Sequence, residues 1–418
     1  MSVSSTPAAD GSASVYRHPG FLSFLVARVA SMVATQMQAV VVAWQVYDQT
    51  RDAMALAYVG LAQFLPMLLL LMPAGDLIDR FDRRRILALS WAMGAVCSAL
   101  LWWLTDGSAG VTGIYAVLVL YGCSRAFSGP AMQSLLPQIV PRAQLAQAIA
   151  ANSMLMRAST IGGPILGGFL YALGGGELTY VVCCAGFMLG VALLLRVAVA
   201  HAQAPAPAQG TMWQRFGDGV SFIRSRPIIL GTISLDLFAV LLGGVVALLP
   251  IYAQEVLHVG PAGLGALRSA MAMGEVCAGL YLSVRPFNRH VGRTMFIAVA
   301  VFGLANLVFA LSTLFWLSMV ALAVAGAADM VSVYIRSALV QFSTPDSMRG
   351  RVNAVNMLFV GSSNELGEFR AGTSAAWFSV VPAAVVGSLC TLGVVGGWML
   401  AFQPLRKVDR FEDAAGMR

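Results

Sequence analysis

Arg28, Arg125, Arg157, Asp236, Arg268, Glu275, Asp329, Arg336, Glu365, Glu368 and Arg370 all sit inside long apolar runs. A charge at the centre of a membrane helix costs roughly 2.5–3.5 kcal/mol on insertion scales, so such groups face protein or water. Two chemistries suit this set: arginines holding an anion, and carboxylates taking up and releasing a proton. The interior charges of the first half of the chain are all arginines. All five acids fall in the second half, beside three further arginines. Desolvation favours the neutral form of a carboxylate and a nearby arginine favours the charged form. A carboxylate balanced between the two can take a proton on one side of a membrane and release it on the other. A structural ion pair is the alternative role for each acid.

Glu365 and Glu368 are three apart and share a helix face. They are the first candidates for proton coupling, followed by Asp236, Glu275 and Asp329, with Arg125 as a partner. Arg268 and Glu275 are seven apart, as are Asp329 and Arg336. Each pair is then about 10 Å apart along its helix, which puts direct partners on neighbouring helices. Arg125 and Arg157 are candidates to hold an anionic substrate group. Gln36, Gln38, Trp44, Gln63 and Asn152 are candidates to line a cavity, with packing between helices as the alternative for each. The four histidines, His18, His201, His258 and His290, have no partner at metal-ligand spacing. No metal and no cofactor is expected, and no phosphate-binding G-x-x-x-x-G-K loop supports ATP as energy source.

The elements that position these residues are membrane helices. The chain has 418 residues, 58% of them apolar and 11% charged, whereas a soluble domain carries about 25% charged residues. A span needs roughly 20 apolar residues. Twelve candidates follow: 21–47, 53–74, 85–105, 111–138, 144–171, 178–198, 228–254, 261–283, 293–312, 314–340, 351–377 and 379–402. The reading is an all-α membrane protein, its twelve transmembrane helices in two pseudo-symmetric six-helix bundles. It divides into a cytoplasmic N-terminal tail (1–20), a first bundle (21–198), a linker with an amphipathic helix (199–227), a second bundle (228–402) and a cytoplasmic C-terminal tail (403–418). Spans 3, 6, 9 and 12 have no ionisable residue in their interiors, so these suit lipid and the other eight surround a polar cavity. The six cysteines all lie in apolar segments and read as packing residues.

Arginines crowd the loops after spans 2, 4, 6, 8 and 10, and the opposite loops hold only Arg51 among acids. The positive-inside rule puts both termini in the cytoplasm. This placement, rather than nucleic-acid binding, accounts for the net charge of +7.

Three motifs sit on this framework. The first is GDLIDRFDRRR (75–85), a charged turn between spans 2 and 3; the second is RAFSGPA (125–131) in span 4; the third is STIGGPILGG (159–168) in span 5. Their order and placement resemble the major facilitator superfamily. The resemblance implies a gating role for Gly75, Asp79, Arg80, Arg83 and Arg84, which would clamp the two halves when the opposite side is open. It implies proton coupling for Arg125. It implies close helix packing by Ser159, Gly163, Pro164, Gly167 and Gly168, a pattern associated with exporters that exchange substrate for protons. Asp82 stands where the family usually has glycine, and Ser159 where it usually has the first glycine of its signature.

Residues 130–164 and 350–369 resemble the drug:proton antiporter group that includes enterobactin (siderophore) exporters. Members usually continue NELGEF with another acid, and this chain has Arg370, which alters the charge near Glu368. The expectation is a proton-coupled exporter in the bacterial inner membrane, working on a siderophore-like or amphipathic drug-like small molecule by alternating access. Its partners are that substrate, protons and membrane lipids, with no nucleic acid, and it is a monomer. A proton-coupled uptake symporter and a non-transporting sensor or lipid-handling protein on the same scaffold are the alternatives. An enzyme is not expected.

Overall fold

The computed structural model describes residues 20–106, 110–141, 144–197 and 212–413. The N-terminal tail through residue 19 and the AQAPAPAQG segment lie outside the described residues. Every regular element among the described residues is helical.

Spans 1 to 4 are Phe21–Thr50, Ala53–Arg80, Arg83–Trp103 and Gly110–Ile139. Leu145–Leu195 is one long stretch that Gly174 and Gly175 divide into span 5 (145–173) and span 6 (176–195). Gly175 adopts φ 64° and ψ −161°, a conformation essentially confined to glycine. A linker helix, Met212–Arg224, leads to span 7, which starts at Pro227. Spans 8 to 12 are Gly260–Val284, Val291–Leu311, Phe315–Ser343, Asp346–Phe378 and Val380–Ala401. Among the described residues nine stretches are long and apolar enough to cross a membrane, and one of them contains both spans 5 and 6. The two long helices outside that set are spans 8 and 11, which carry Arg268 and Glu275, and Glu365, Glu368 and Arg370.

Two expectations are corrected. Residues 75–80 of the charged motif are helical and extend span 2, so the turn itself is only Phe81 and Asp82. The Asp82 side chain accepts a bond from the Arg84 backbone N–H (2.9 Å). It thereby caps span 3, which starts two residues earlier than expected, at Arg83. Span 7 is not continuous. It ends as a regular helix at Gly243, passes a single 3-10 turn at Val246–Leu248 and finishes in π geometry at Tyr252–Val256. Two consecutive glycines, each about 1 kcal/mol worse than alanine in a helix, make Gly243–Gly244 the weak point.

The packing repeats between the halves. Span 1 lies against span 5 and span 7 against span 11; span 2 against span 4 and span 8 against span 10; span 3 against span 4 and span 9 against span 10. The halves meet where span 5 packs on span 8 and span 2 on span 11. One apolar cluster joins both halves at the end away from the arginine-rich loops. It includes Val40, Trp44 and Tyr47 of span 1, Leu248 and Tyr252 of span 7, Leu264 of span 8 and Ala371 of span 11. Exposed Trp102, Trp103, Trp316 and Trp377 mark the same end, as expected of an aromatic belt at a membrane boundary.

At the arginine-rich end the linker helix packs on span 11, with Asp218 paired to Arg351 at 2.9 Å. The chain after span 12 folds back over the span 8–9 loop. Val291 and Gly292 donate backbone bonds to Asp409 and Val408 (3.1 and 3.0 Å). Buried Phe411 sits among the rings of Phe287, Tyr334 and Phe342.

Candidate functional site

At mid-depth the two halves touch through charge. Arg125 of span 4 places Nη2 3.5 Å from Glu365 Oε1 of span 11, and its Nη1 donates to Gln63 Oε1 of span 2 at 3.4 Å. Glu368, one turn on, lies beside Gly60 of span 2, where an added Cβ would stand 3.8 Å from its Oε2. Arg268 of span 8 interacts electrostatically with Glu368. These five side chains come from four helices of both halves.

A second group lies nearby. Glu275 of span 8 interacts electrostatically with Asp329 of span 10 and with Arg157 of span 5. Close packing builds this seam: a Cβ on Gly274 would stand 2.7 Å from Ala323 C, and one on Gly326 2.9 Å from Met271 C. The Arg157 guanidinium reaches Met330 Sδ at 3.9 Å across the halves.

A cavity of about 370 Å³ opens on the first half beside Arg125. Arg28, Arg125, Ser31 and Ser124 supply its polar groups, and Met32, Met132, Met156, Trp91, Tyr121 and Phe187 its apolar wall. It extends from mid-depth toward the arginine-rich end. Polarisable methionines and aromatic rings suit amphipathic ligands of variable shape. A deeper recess of about 100 Å³ is lined by Gln36, Gln38, Gln63 and Arg125. Gln38 is buried there; its Oε1 accepts from Ser98 and its Nε2 has no partner. A third cavity of about 160 Å³ lies between the halves beside Gln36, Arg268 and Glu275.

Other candidate residues are placed elsewhere. Asp236 pairs with Arg336, both buried, inside the second half and away from the cavity. Trp44 belongs to the apolar cluster that joins the halves. Asn152 accepts from Arg28 at the cavity edge. The side chains of Asp79 and Arg80 lie outside the described residues. Arg84 donates to the carbonyls of Leu195 and Val197 (3.4 and 2.7 Å), capping span 6 of its own half. Gly75 is the last-but-five residue of span 2, and Arg83 opens span 3.

The span 5 motif does steric work on two neighbours. A Cβ on Gly167 would stand 2.9 Å from Met37 Cα, and one on Gly163 would meet Gln36, both in span 1. One on Gly168 would run into the Pro261 carbonyl of span 8. Pro164 meets Gly265 of span 8 in the same way, and Ser159 is buried with its hydroxyl on Leu155 O at 2.8 Å.

Tyr47, Gln254 and Ser269 had drawn no notice from sequence. Tyr47 donates to Glu255, and Gln254 Nε2 donates to Asp48 Oδ1 at 2.7 Å, tying span 1 to the end of span 7. Ser269 Oγ donates to Ile161 O at 2.6 Å between spans 8 and 5. With the apolar cluster, these contacts close the end away from the arginine-rich loops. The sole sequence signal was the excess of acids over bases in those outer loops.

The chain matches the profile of the transmembrane secretion effector family over residues 11–417. The chain belongs to that family. It is 26% identical over 404 residues to the enterobactin exporter EntS of Citrobacter koseri, with 94% of each chain covered. In structure this secretion effector resembles a bacterial homologue of the iron transporter ferroportin in an inward-facing state (TM-score 0.69, 17% identity, 92% and 99% of the chains covered). It also resembles a peptide transporter POT in complex with sulfate (TM-score 0.73, 11% identity, 95% and 97% covered). The structural likenesses show the major facilitator fold, and the family profile makes the chain a multi-pass membrane transporter rather than an enzyme.

Proposed function

We propose that this secretion effector is a proton-coupled exporter of an amphipathic or siderophore-like small molecule in the bacterial inner membrane, working by alternating access. The observation that carries the reading is the Arg125–Glu365 contact, which bridges the two halves at mid-depth beside the cavity of the first half. A proton on Glu365, or an anionic group on Arg125, removes the attraction that holds these two side chains together. Glu368 takes part with Glu365, and Glu275 with Asp329 forms a second carboxylate group within reach of Arg157. The likeness to enterobactin exporters supports a siderophore-like substrate. The arginines and apolar wall of the cavity support the same chemistry.

The arginine-rich loops favour the cytoplasm for that end and for both termini. The conformation is then open to the cytoplasm. Arg84, which the family resemblance assigns to a clamp between the halves, is accordingly engaged within its own half. A single chain suffices for this cycle, since both halves and the Arg125–Glu365 contact that links them belong to one polypeptide.

Inside-out membrane vesicles test the reading with labelled enterobactin and, separately, a cationic dye. An acid-inside gradient should drive accumulation of at least one probe, and a protonophore or Glu365→Gln should remove it. Accumulation that survives the protonophore overturns the proton coupling. Alkaline phosphatase fused after residue 413 should be inactive in intact cells.

A further inference from the structure

We propose that Arg370 is a positioning residue that pins the break in span 7 and so sets the gate segment 246–256 against the first half. The proposal rests on the alternating-access reading only for its consequence, not for its geometry.

The break frees backbone carbonyls inside the helix bundle. After Gly243 the helix stops, and the last helical bond there is Gly244 N–H to Val240 O at 3.0 Å. The carbonyls of Leu241, Gly243 and Gly244 lose their partners one turn on. Each unsatisfied carbonyl in a membrane interior costs several kcal/mol. Arg370 Nε donates to Leu241 O at 3.0 Å, and Arg370 Nη2 points to Gly244 O at 3.4 Å. Asn306 Nδ2 of span 9 reaches Gly243 O at 3.4 Å. A guanidinium is the one side chain with a rigid fork of donors able to bridge two carbonyls on either side of a break. Among the described residues no carboxylate pairs with Arg370, so its bonds go to backbone.

The approach is built by small residues. A Cβ on Gly367 would stand 2.9 Å from Val240 O, so span 11 touches span 7 there. Arg370 is three residues further, on the same face and one turn up, directly over the break. Gly387 of span 12 leaves room for the guanidinium, since a Cβ there would stand 3.2 Å from Arg370 Nη1. Glu368 is two positions away and faces span 2 instead. Span 11 therefore presents its carboxylates to one half and Arg370 to the hinge of the other.

Beyond the break the chain runs through 246–256 to Gln254 and Glu255, which hold Asp48 and Tyr47. Losing the pin lets this segment re-form or swing, and the bond to span 1 goes with it.

The test measures the gate in the full chain in lipid nanodiscs, without substrate or gradient. Spin labels go on exposed Gln49→Cys and His258→Cys, which leave the Asp48–Gln254 and Tyr47–Glu255 contacts in place, with Cys277 and Cys390 replaced by Ser. Electron–electron double resonance on this parent should give one short distance. Arg370→Met should shift at least about half of that population to longer distances. Amide exchange in 244–256 should rise with it, and Arg370→Lys should restore part of the short population. An unchanged distance distribution and unchanged exchange in a folded Arg370→Met protein overturn the proposal. If Arg370→Met does not fold, Arg370→Gln is judged by the same two outcomes. Because neither readout involves protons or cargo, failure of the exporter reading leaves this result standing, and the reverse holds.

Discussion

Arg125 and Glu365 stand on opposite halves of the molecule with 3.5 Å between Nη2 and Oε1, and Gln63 braces the arginine from a third helix. The contact is partly open to the cavity, so it is a switchable link rather than a permanent brace. Neither partner is fully buried, so neutralising one strands less charge than in a sealed pair. Its value lies in what happens when one member is neutralised.

Neutralising Glu365 should uncouple exchange from the gradient. In proteoliposomes, Glu365→Gln should lower gradient-driven accumulation at least about tenfold, equivalent to about 1.4 kcal/mol. Counterflow of labelled against unlabelled substrate should persist near the parent rate. Equal loss of both fluxes would instead place Glu365 in substrate binding.

The Asp236–Arg336 pair is of the other kind, with side chains only 7% and 6% exposed. Removing one partner of such a pair costs about 3–5 kcal/mol, because a buried charge is stranded. Asp236→Asn should therefore lower the melting temperature in detergent markedly. Asp236→Asn combined with Arg336→Met should recover most of that loss. A melting temperature that stays put in the single variant would show that water reaches the pair.

Closure at the outer end should depend on the glycine faces of spans 5 and 8. Gly168→Val puts a branched side chain where the Pro261 carbonyl sits. A membrane-impermeant maleimide applied from that side should then label Gln36→Cys, which the parent protects. Gly162 has open space around it, so Gly162→Ala should leave labelling unchanged. Equal protection in both variants would mean that the apolar cluster seals without spans 5 and 8.

Phe411 should anchor the C-terminal strap. Burying a phenylalanine is worth about 3–5 kcal/mol against alanine in a well-packed site, although only the strap and its loop are at stake here. Phe411→Ala should speed proteolysis within 403–413 and raise amide exchange at Val291 and Gly292, which bond to the strap. Unchanged exchange at those two amides would show that the span 8–9 loop holds its shape alone.

Much of the fold was legible because a bilayer imposes length and apolarity. The linker helix was expected from its mixed composition, and it spans Met212–Arg224. The break between spans 5 and 6 fell inside the gap expected between 171 and 178. Span 7 was misread because Gly243–Gly244 is surrounded by leucine and valine, and apolarity carries no mark of helix continuity. The motif at 75–85 looked like a loop because it is charged, yet a helix end projecting from a membrane tolerates charge.

The interior charges were found by type, but their grouping was not. Asp236, Glu275 and Glu365 look alike in sequence. Only the packing of spans 7, 8, 10 and 11 separates a closed pair with Arg336 from groups within reach of the cavity. Tyr47 and Glu255 are 208 residues apart, and no local pattern announces such a contact. Arg370 stood out as an odd charge beside Glu368, whereas its partners turned out to be carbonyls that exist only because span 7 is interrupted.

Spans 5 and 6 are joined with only Gly174 and Gly175 out of helical geometry. So short a connection carries almost nothing polar across the bilayer, and its φ and ψ at Gly175 leave no room for another residue type. So tight a turn makes spans 5 and 6 one helical hairpin. Span 5 holds Arg157 and the small-residue motif, while span 6 is apolar from Val181 to Leu195. In such a hairpin the apolar arm anchors the arm that carries the charge, and residues added at the turn would part the two.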